Sequence, residues 1–170
     1  VTGFMHLDGY MDVCDAVLSR RELATRQRIL KDSHCGAFAV IGMVLLALCQ
    51  WSVFLSGSAD ESLWGLLLIP VATRACAGLA VLKLRPMGTS QYAAMGRHGG
   101  YAAALAVLLA AAIAVPLVTD RSFAPLAAAA GYGLAVWYGF RQLDGMNGDI
   151  SGFALTLGEL AGAAVWTLVR

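Results

Sequence analysis

Charge is scarce in this chain. Only 14% of its 170 residues are Asp, Glu, Lys or Arg, against about 25% in an ordinary soluble domain, so there is too little polar surface to cover a water-facing exterior. The charges that exist nearly cancel. A net charge of +1 offers no concentrated basic face, which sets nucleic-acid binding aside. Paired cysteines are also missing: Cys14, Cys35, Cys49 and Cys76 form no C-x-x-C, and Cys49 and Cys76 sit in apolar stretches, so neither a disulfide framework nor a zinc site is indicated. The opening VTGFMHLDGYMD lacks the basic, apolar, then small-residue order of a cleaved signal peptide.

What is present is apolar. Hydrophobic residues make up 59% of the chain and mean hydropathy is +0.69. A hydrocarbon layer about 30 Å thick needs roughly 20 such residues in a helix, and the sequence offers runs at 37–56, 63–82, 101–118, 123–140 and 152–169. The expectation is an all-α polytopic membrane bundle with about five transmembrane helices and an acidic helix ahead of them. It forms a single membrane domain over 1–170, in which 1–36 holds an acidic motif and a basic segment. The Gly and Ala content of the last two runs (AAAAGYGLA, GELAGAA) suits close helix packing.

Basic residues give the orientation. With 1–36 inside, Arg20, Arg21, Arg26, Arg28, Lys31, Lys83, Arg85, Arg97 and Arg141 are inside and only Arg121 and Arg170 outside, the asymmetry expected of a cytoplasmic face. Asp8, Asp12, Asp15, Asp32, Asp144 and Asp149 fall on that inner side, against Asp60, Glu61 and Asp120 outside. A site at the cytoplasmic side of an inner membrane follows.

Asp8, Asp12 and Asp15 are spaced i, i+4, i+7, within an arc of about 60° on one helix face. Like charges so placed repel, and a divalent cation with a preference for carboxylate oxygens, Mg²⁺ above all, relieves the repulsion. The alternative is a solvated acidic face neutralised by Arg20, Arg21 and Arg26. Asp32 in LKDSHCGAF reads as a ligand or as a helix cap, and Asp149, in the glycine-flanked LDGMNGDISG, as a phosphate-facing ligand or an acidic turn. Arg74 and Glu159 each lie inside an apolar run, where an ionisable group needs a partner, and pairing them is the simplest solution. His6, His34 and His98 are placed on the inner side with no spacing that singles one out.

Taken together, GFMHLDGYMDVCDAVLSRR, ILKDSHCGAFAV, GDISG and LGEL resemble the cobalamin synthase, or adenosylcobinamide-GDP ribazoletransferase, family in order and spacing. Departures occur at Gly3-Phe4, Tyr10-Met11, Ala16 and Asn147. The resemblance implies membership of adenosylcobalamin biosynthesis: adenosylcobinamide-GDP and α-ribazole, or its 5′-phosphate, are joined with release of GMP, and Mg²⁺ is the cofactor. It further implies Asp8, Asp12 and Asp15 as metal ligands, with Asp32 joining them in catalysis. Asp149 is then a metal or substrate contact, and Arg26, Arg28 and Lys31 reach phosphate oxygens. Family members carry further membrane helices before the H-L-D-G segment, so the chain is expected to correspond to the carboxy-terminal part of that architecture.

Two other families share parts of this pattern. A CDP-alcohol phosphotransferase also uses a helix-borne acidic motif, but here Tyr10-Met11-Asp12 follows Asp8-Gly9 where that family has D-G-x-x-A-R. A small transporter would use Arg74 and Glu159 as coupling residues, yet no inverted repeat is evident.

Overall fold

The computed structural model describes residues 3–57, 63–88 and 99–168. Asp60, Glu61, Arg97, His98 and Arg170, which entered the charge and histidine readings above, lie outside the described residues. Within them the chain forms seven helices: α1 (Met5–Leu18), α2 (Leu23–Ile29), α3 (Ala37–Leu55), α4 (Leu63–Lys83), α5 (Gly99–Thr119), α6 (Ala124–Leu143) and α7 (Gly148–Leu168). Four of these, α3, α4, α5 and α7, are long and apolar enough to cross a membrane. The fourth expected span, 123–140, corresponds to α6, which reaches 20 residues, but its Gly, Tyr and Trp content and the terminal Arg141 and Gln142 make it less apolar than the rest. Large apolar side chains stand exposed along the long helices, among them Ile41, Leu45, Leu48, Trp51, Leu67 and Val107. Contiguous apolar surface on this scale suits a lipid environment.

The centre of the bundle is α7, which packs against α1, α3, α4 and α6. Its seam with α6 is built from small residues. A Cβ added to Gly158 would lie 2.8 Å from the Ala128 carbonyl oxygen, and one added to Gly162 would lie 2.8 Å from the Ala128 Cβ. Close approach of backbones replaces side-chain interdigitation here, as in other membrane helix pairs. At one end of the bundle Phe54 of α3 meets Trp166 of α7, with ring centroids 6.5 Å apart. At the other end the loop after α4 is clasped to the turn between α6 and α7: Met87 N–H donates to the Met146 carbonyl at 2.8 Å and Met146 N–H to the Arg85 carbonyl at 2.9 Å. Asp144 ends α6 in the left-handed region (φ 57°) and accepts from Arg85.

The first helix is a wedge, not an appendage. Gly9 of α1 faces Asp149 of α7, while His6 faces Gly152 and accepts from Thr156 through its carbonyl at 3.4 Å. On the other side Tyr10 donates to the Gly42 carbonyl of α3 at 3.1 Å. Rising numbers in α1 meet falling numbers in both neighbours, so α1 runs antiparallel to α3 and α7, between their first turns. Tyr10 also stacks on Phe153, ring centroids 5.7 Å apart, and Val13 and Ala16 are fully buried. A Cβ on Gly9 would sit 2.8 Å from the Asp149 Cα and 2.9 Å from its carbonyl oxygen, both backbone atoms that cannot swing aside. Gly9→Ala is therefore expected to push α1 off α7 and cost about 2 kcal/mol, the order seen for overpacked cores. Thermal unfolding in detergent measures it.

Arg74 and Glu159 meet across α4 and α7. The Arg74 guanidinium also donates to the Pro70 carbonyl at 3.3 Å, and the Thr73 hydroxyl to Glu159 Oε1 at 3.3 Å. Neither ionised group is left alone in the apolar layer, where isolation is costly. In a double-mutant cycle Arg74→Ala and Glu159→Ala should be sub-additive, with a coupling of about 1 kcal/mol; strictly additive losses would count against the pair.

Candidate active site

The acidic stripe of α1 is divided by its neighbours. Asp15, near the carboxyl end of the helix, is 9% exposed, and both its oxygens are committed: Gly36 N–H donates to Oδ2 at 2.6 Å and Ala39 N–H to Oδ1 at 2.8 Å. These are the N-cap and third residue of α3, whose own N-cap, Gly36, has no side chain to offer. Asp15 thus satisfies, from another helix, the orphan N–H groups of a helix start and meets the positive end of its dipole. Gly36 is required by this arrangement, because a Cβ there would lie 2.7 Å from each Asp15 carboxylate oxygen. Capping of α3 is the engagement the structure shows for Asp15, which was expected from sequence to join Asp8 and Asp12 as a metal ligand.

Asp12 and Asp8, one and two turns earlier, face an opening of about 210 Å³ that they share with Met11, Asp32, Ser33, His34 and Cys35. Asp149, on the first turn of α7, adjoins through the Gly9 contact. It is set by Asn147, whose side-chain N–H donates to Asp149 Oδ2 at 2.7 Å while its Oδ1 accepts from Ile150 N–H at 3.0 Å. Asn147 is thus the N-cap of α7 and the positioner of an acidic side chain. The helix consequently starts at Gly148, four residues before the apolar run expected at 152.

Electrostatics mark Asp12. Partial burial first, then the charges of Asp8, Asp149 and Asp15, push its carboxyl up to about 6, well above the usual range near 4. On the facing wall Asp32 is fixed by His34, whose Nδ1 lies 2.6 Å from Asp32 Oδ1 and whose N–H donates to the same oxygen at 3.0 Å. Those hydrogen bonds hold the Asp32 carboxyl below its ordinary value.

Among the described residues no three His, Cys, Asp or Glu side chains are grouped closely enough to hold a metal ion by themselves. Mg²⁺ does not demand such a cage: it is held by one or two carboxylates and completes its shell with water and substrate phosphate. The donor set fits it, since the acids are hard oxygen ligands whose mutual repulsion is recorded in the raised Asp12. Of the basic candidates, Arg28 is near enough for its charge to act on Asp32, and Lys31 is exposed beside it. Arg26 turns the other way, donating to Gln142 of α6. The reading from sequence had not singled out Ser33, Cys35 or Met11. None carries a spacing signal; Met11 lies on α1 between the two acids, and the fold of the α2–α3 turn over α1 brings in Ser33 and Cys35.

The sequence profile described as cobalamin-5-phosphate synthase matches residues 1–167. A protein named adenosylcobinamide-GDP ribazoletransferase from Clostridium perfringens strain 13 is 37% identical over 169 residues, covering 95% of this chain and 67% of the relative. One of the same name from Geobacillus kaustophilus is 32% identical, covering 99% of this chain and 68% of the relative. A third, from Halalkalibacterium halodurans, is 49% identical over a shorter stretch of 78 residues, 43% of this chain and 29% of the relative. No solved structure matches. A match that runs through the α1 acidic helix, the α2–α3 turn and the α7 start covers every wall of the acidic opening, and the chain belongs to the cobalamin-5-phosphate synthase family.

Proposed function

We propose that this chain acts in adenosylcobalamin biosynthesis by joining adenosylcobinamide-GDP to α-ribazole or its 5′-phosphate, giving adenosylcobalamin or its 5′-phosphate and GMP. The observation that carries the reading is the opening bounded by Asp8, Asp12 and Asp32, a place where anionic phosphate is acceptable only with a cation present. In the reaction a ribose hydroxyl oxygen bonds to the phosphorus on the corrinoid side of the pyrophosphate. The bond from that phosphorus to the bridging oxygen breaks, GMP departs with the electron pair, and the hydroxyl proton is released. A 5′-phosphorylated acceptor keeps its phosphate in the product, so the attacking hydroxyl is not the one at the 5′ position.

Asp8 and Asp12 would hold Mg²⁺, with Asp149 beside them. Bound there, the ion supplies neutralisation of the pyrophosphate and of the charge developing on GMP. The protein contributes position. Gly9 brings α1 against the start of α7, Asn147 fixes Asp149, and His34 fixes Asp32. Arg28, whose charge acts on Asp32, and Lys31 would contact phosphate oxygens through charge-assisted hydrogen bonds.

The end of the bundle bearing this opening faces the cytoplasm of the inner membrane in this proposal. Arg20, Arg21, Arg26, Arg28, Lys31, Lys83, Arg85 and Arg141 gather at that end, whereas Arg121 is at the other, which supports the orientation by the positive-inside rule. It also requires α6 to count as a fifth crossing, returning the chain to that side before α7.

Membranes containing the protein, supplied with adenosylcobinamide-GDP, α-ribazole and Mg²⁺, should yield GMP and the coupled corrinoid in equal amounts, separable by chromatography. Chelation of the divalent ion should stop both. Unchanged corrinoid substrate under these conditions, or product formed equally well with the metal removed, would refute the proposal.

A further inference from the structure

A second opening lies on the far flank of α1, at the corner where α1 gives way to α2. It measures about 410 Å³ and is walled by Val17, Arg20, Arg21, Arg26, Tyr138 and Gln142, sharing no residue with the acidic opening. The volume falls in the range of roughly 300–1,000 Å³ typical of small-ligand sites. Three guanidiniums line it, and among the described residues none of them is ion-paired to a carboxylate. Glu22, adjacent in sequence, accepts instead from the Thr25 hydroxyl.

One local feature is unfavourable unless a ligand uses it. The Arg26 Nε is buried with no hydrogen-bond acceptor, although the same guanidinium reaches Gln142 through Nη1; a buried donor without an acceptor is rare and calls for a partner. Arg20 occupies the left-handed region at φ 52°, just past the end of α1, a position where glycine is the inexpensive choice. The surroundings indicate the level at which the opening sits. It is at the last turn of α6, where exposed Trp137 carries the Arg141 guanidinium 5.2 Å from its ring centroid, an aromatic and cationic pairing suited to the membrane–water boundary.

We propose that this opening is a phosphate-binding site, in which Arg20, Arg21 and Arg26 hold the phosphate of a mono- or diester and Tyr138 and Gln142 offer further polar contacts. Planar guanidinium groups match phosphate oxygens in pairs. The phosphate belongs either to a membrane lipid headgroup or to a soluble phosphate ester. The site does not depend on the reaction assigned to the acidic opening, and its test contains neither Mg²⁺ nor corrinoid.

The purified protein in a neutral detergent is titrated calorimetrically with a short-chain phosphatidylglycerol and, separately, with ribose 5-phosphate. Phosphate-free short-chain diacylglycerol and ribose serve as blanks. At least one phosphate ligand should bind saturably at one site per chain, and Arg21→Gln and Arg26→Gln should each weaken it by about tenfold or more, as expected for a lost charge-assisted hydrogen bond. Arg21 is exposed, so its substitution tests the site even if Arg26→Gln fails to fold. Lys83→Gln, which removes a cation outside the opening, should leave affinity unchanged. Tighter binding of the lipid identifies a headgroup site, and tighter binding of ribose 5-phosphate a soluble ester. Absence of saturable binding by both ligands, or an equal loss in Lys83→Gln, overturns the proposal.

Discussion

Asp12→Asn should reduce turnover by about a thousandfold, a loss of roughly 4 kcal/mol of transition-state stabilisation, while making the metal-free protein more stable at neutral pH. The two effects share a cause. Burial together with Asp8, Asp149 and Asp15 lifts the Asp12 carboxyl to about 6, whereas in the unfolded chain it titrates near 4. Between those values the folded state binds the proton more strongly than the unfolded state, so stability falls as pH rises through the window and stays reduced above it. Because the side chain is partly open to solvent, the contribution is discounted to about 1 kcal/mol. Asparagine has no proton to lose and escapes the penalty. Unfolding midpoints at pH 5 and pH 8 without divalent metal should therefore coincide more closely in the variant than in the parent, with the variant ahead at pH 8. Added Mg²⁺ should stabilise only the parent appreciably, by binding the folded state alone.

Asp15→Ala should be the most damaging single change for stability, costing about 3–5 kcal/mol. It removes an ionised acceptor of two backbone N–H groups, each such hydrogen bond worth roughly 1.5–3 kcal/mol. It also leaves the first turn of α3 uncapped and its dipole unanswered. Gly36→Ala attacks the same contact from the other side, since its Cβ would fall 2.7 Å from the carboxylate oxygens. The pair should therefore be strongly non-additive: once Asp15 is gone, the extra methyl has nothing to collide with. Equal costs of Gly36→Ala in the presence and absence of Asp15 would show that the contact is not what restrains Gly36.

The contrast between Asp12 and Asp15 shows what sequence could and could not convey. Spacing alone places Asp8, Asp12 and Asp15 on one face of α1, and it does so correctly. It carries no information about α3 crossing the carboxyl half of that helix, which buries Asp15 and leaves Asp8 exposed. The runs at 37–56, 63–82 and 101–118 were legible because apolar length is what a bilayer selects, and α3, α4 and α5 follow them within a residue or two. The start of α7 was not, because Gly145, Gly148 and Gly152 suggested a loop where the Asn147 cap in fact begins a helix. Arg74 and Glu159 could be paired in advance since an ion in an apolar run has few affordable alternatives. Arg26 could not be separated from Arg28, because which face of the short α2 turns toward Gln142 is decided by tertiary packing against α6.

Mn²⁺ binding, followed by electron paramagnetic resonance as a stand-in for Mg²⁺, tests the central claim most directly when read across the aspartates in purified protein. Asp8→Asn and Asp12→Asn should each weaken binding by about tenfold or more, while Asp15→Asn, in whatever fraction remains folded, should change it by less than about twofold. A loss in Asp15→Asn as large as in the other two, or unaltered affinity in all three, would contradict the division of the acidic face into a metal-facing half and a capping half.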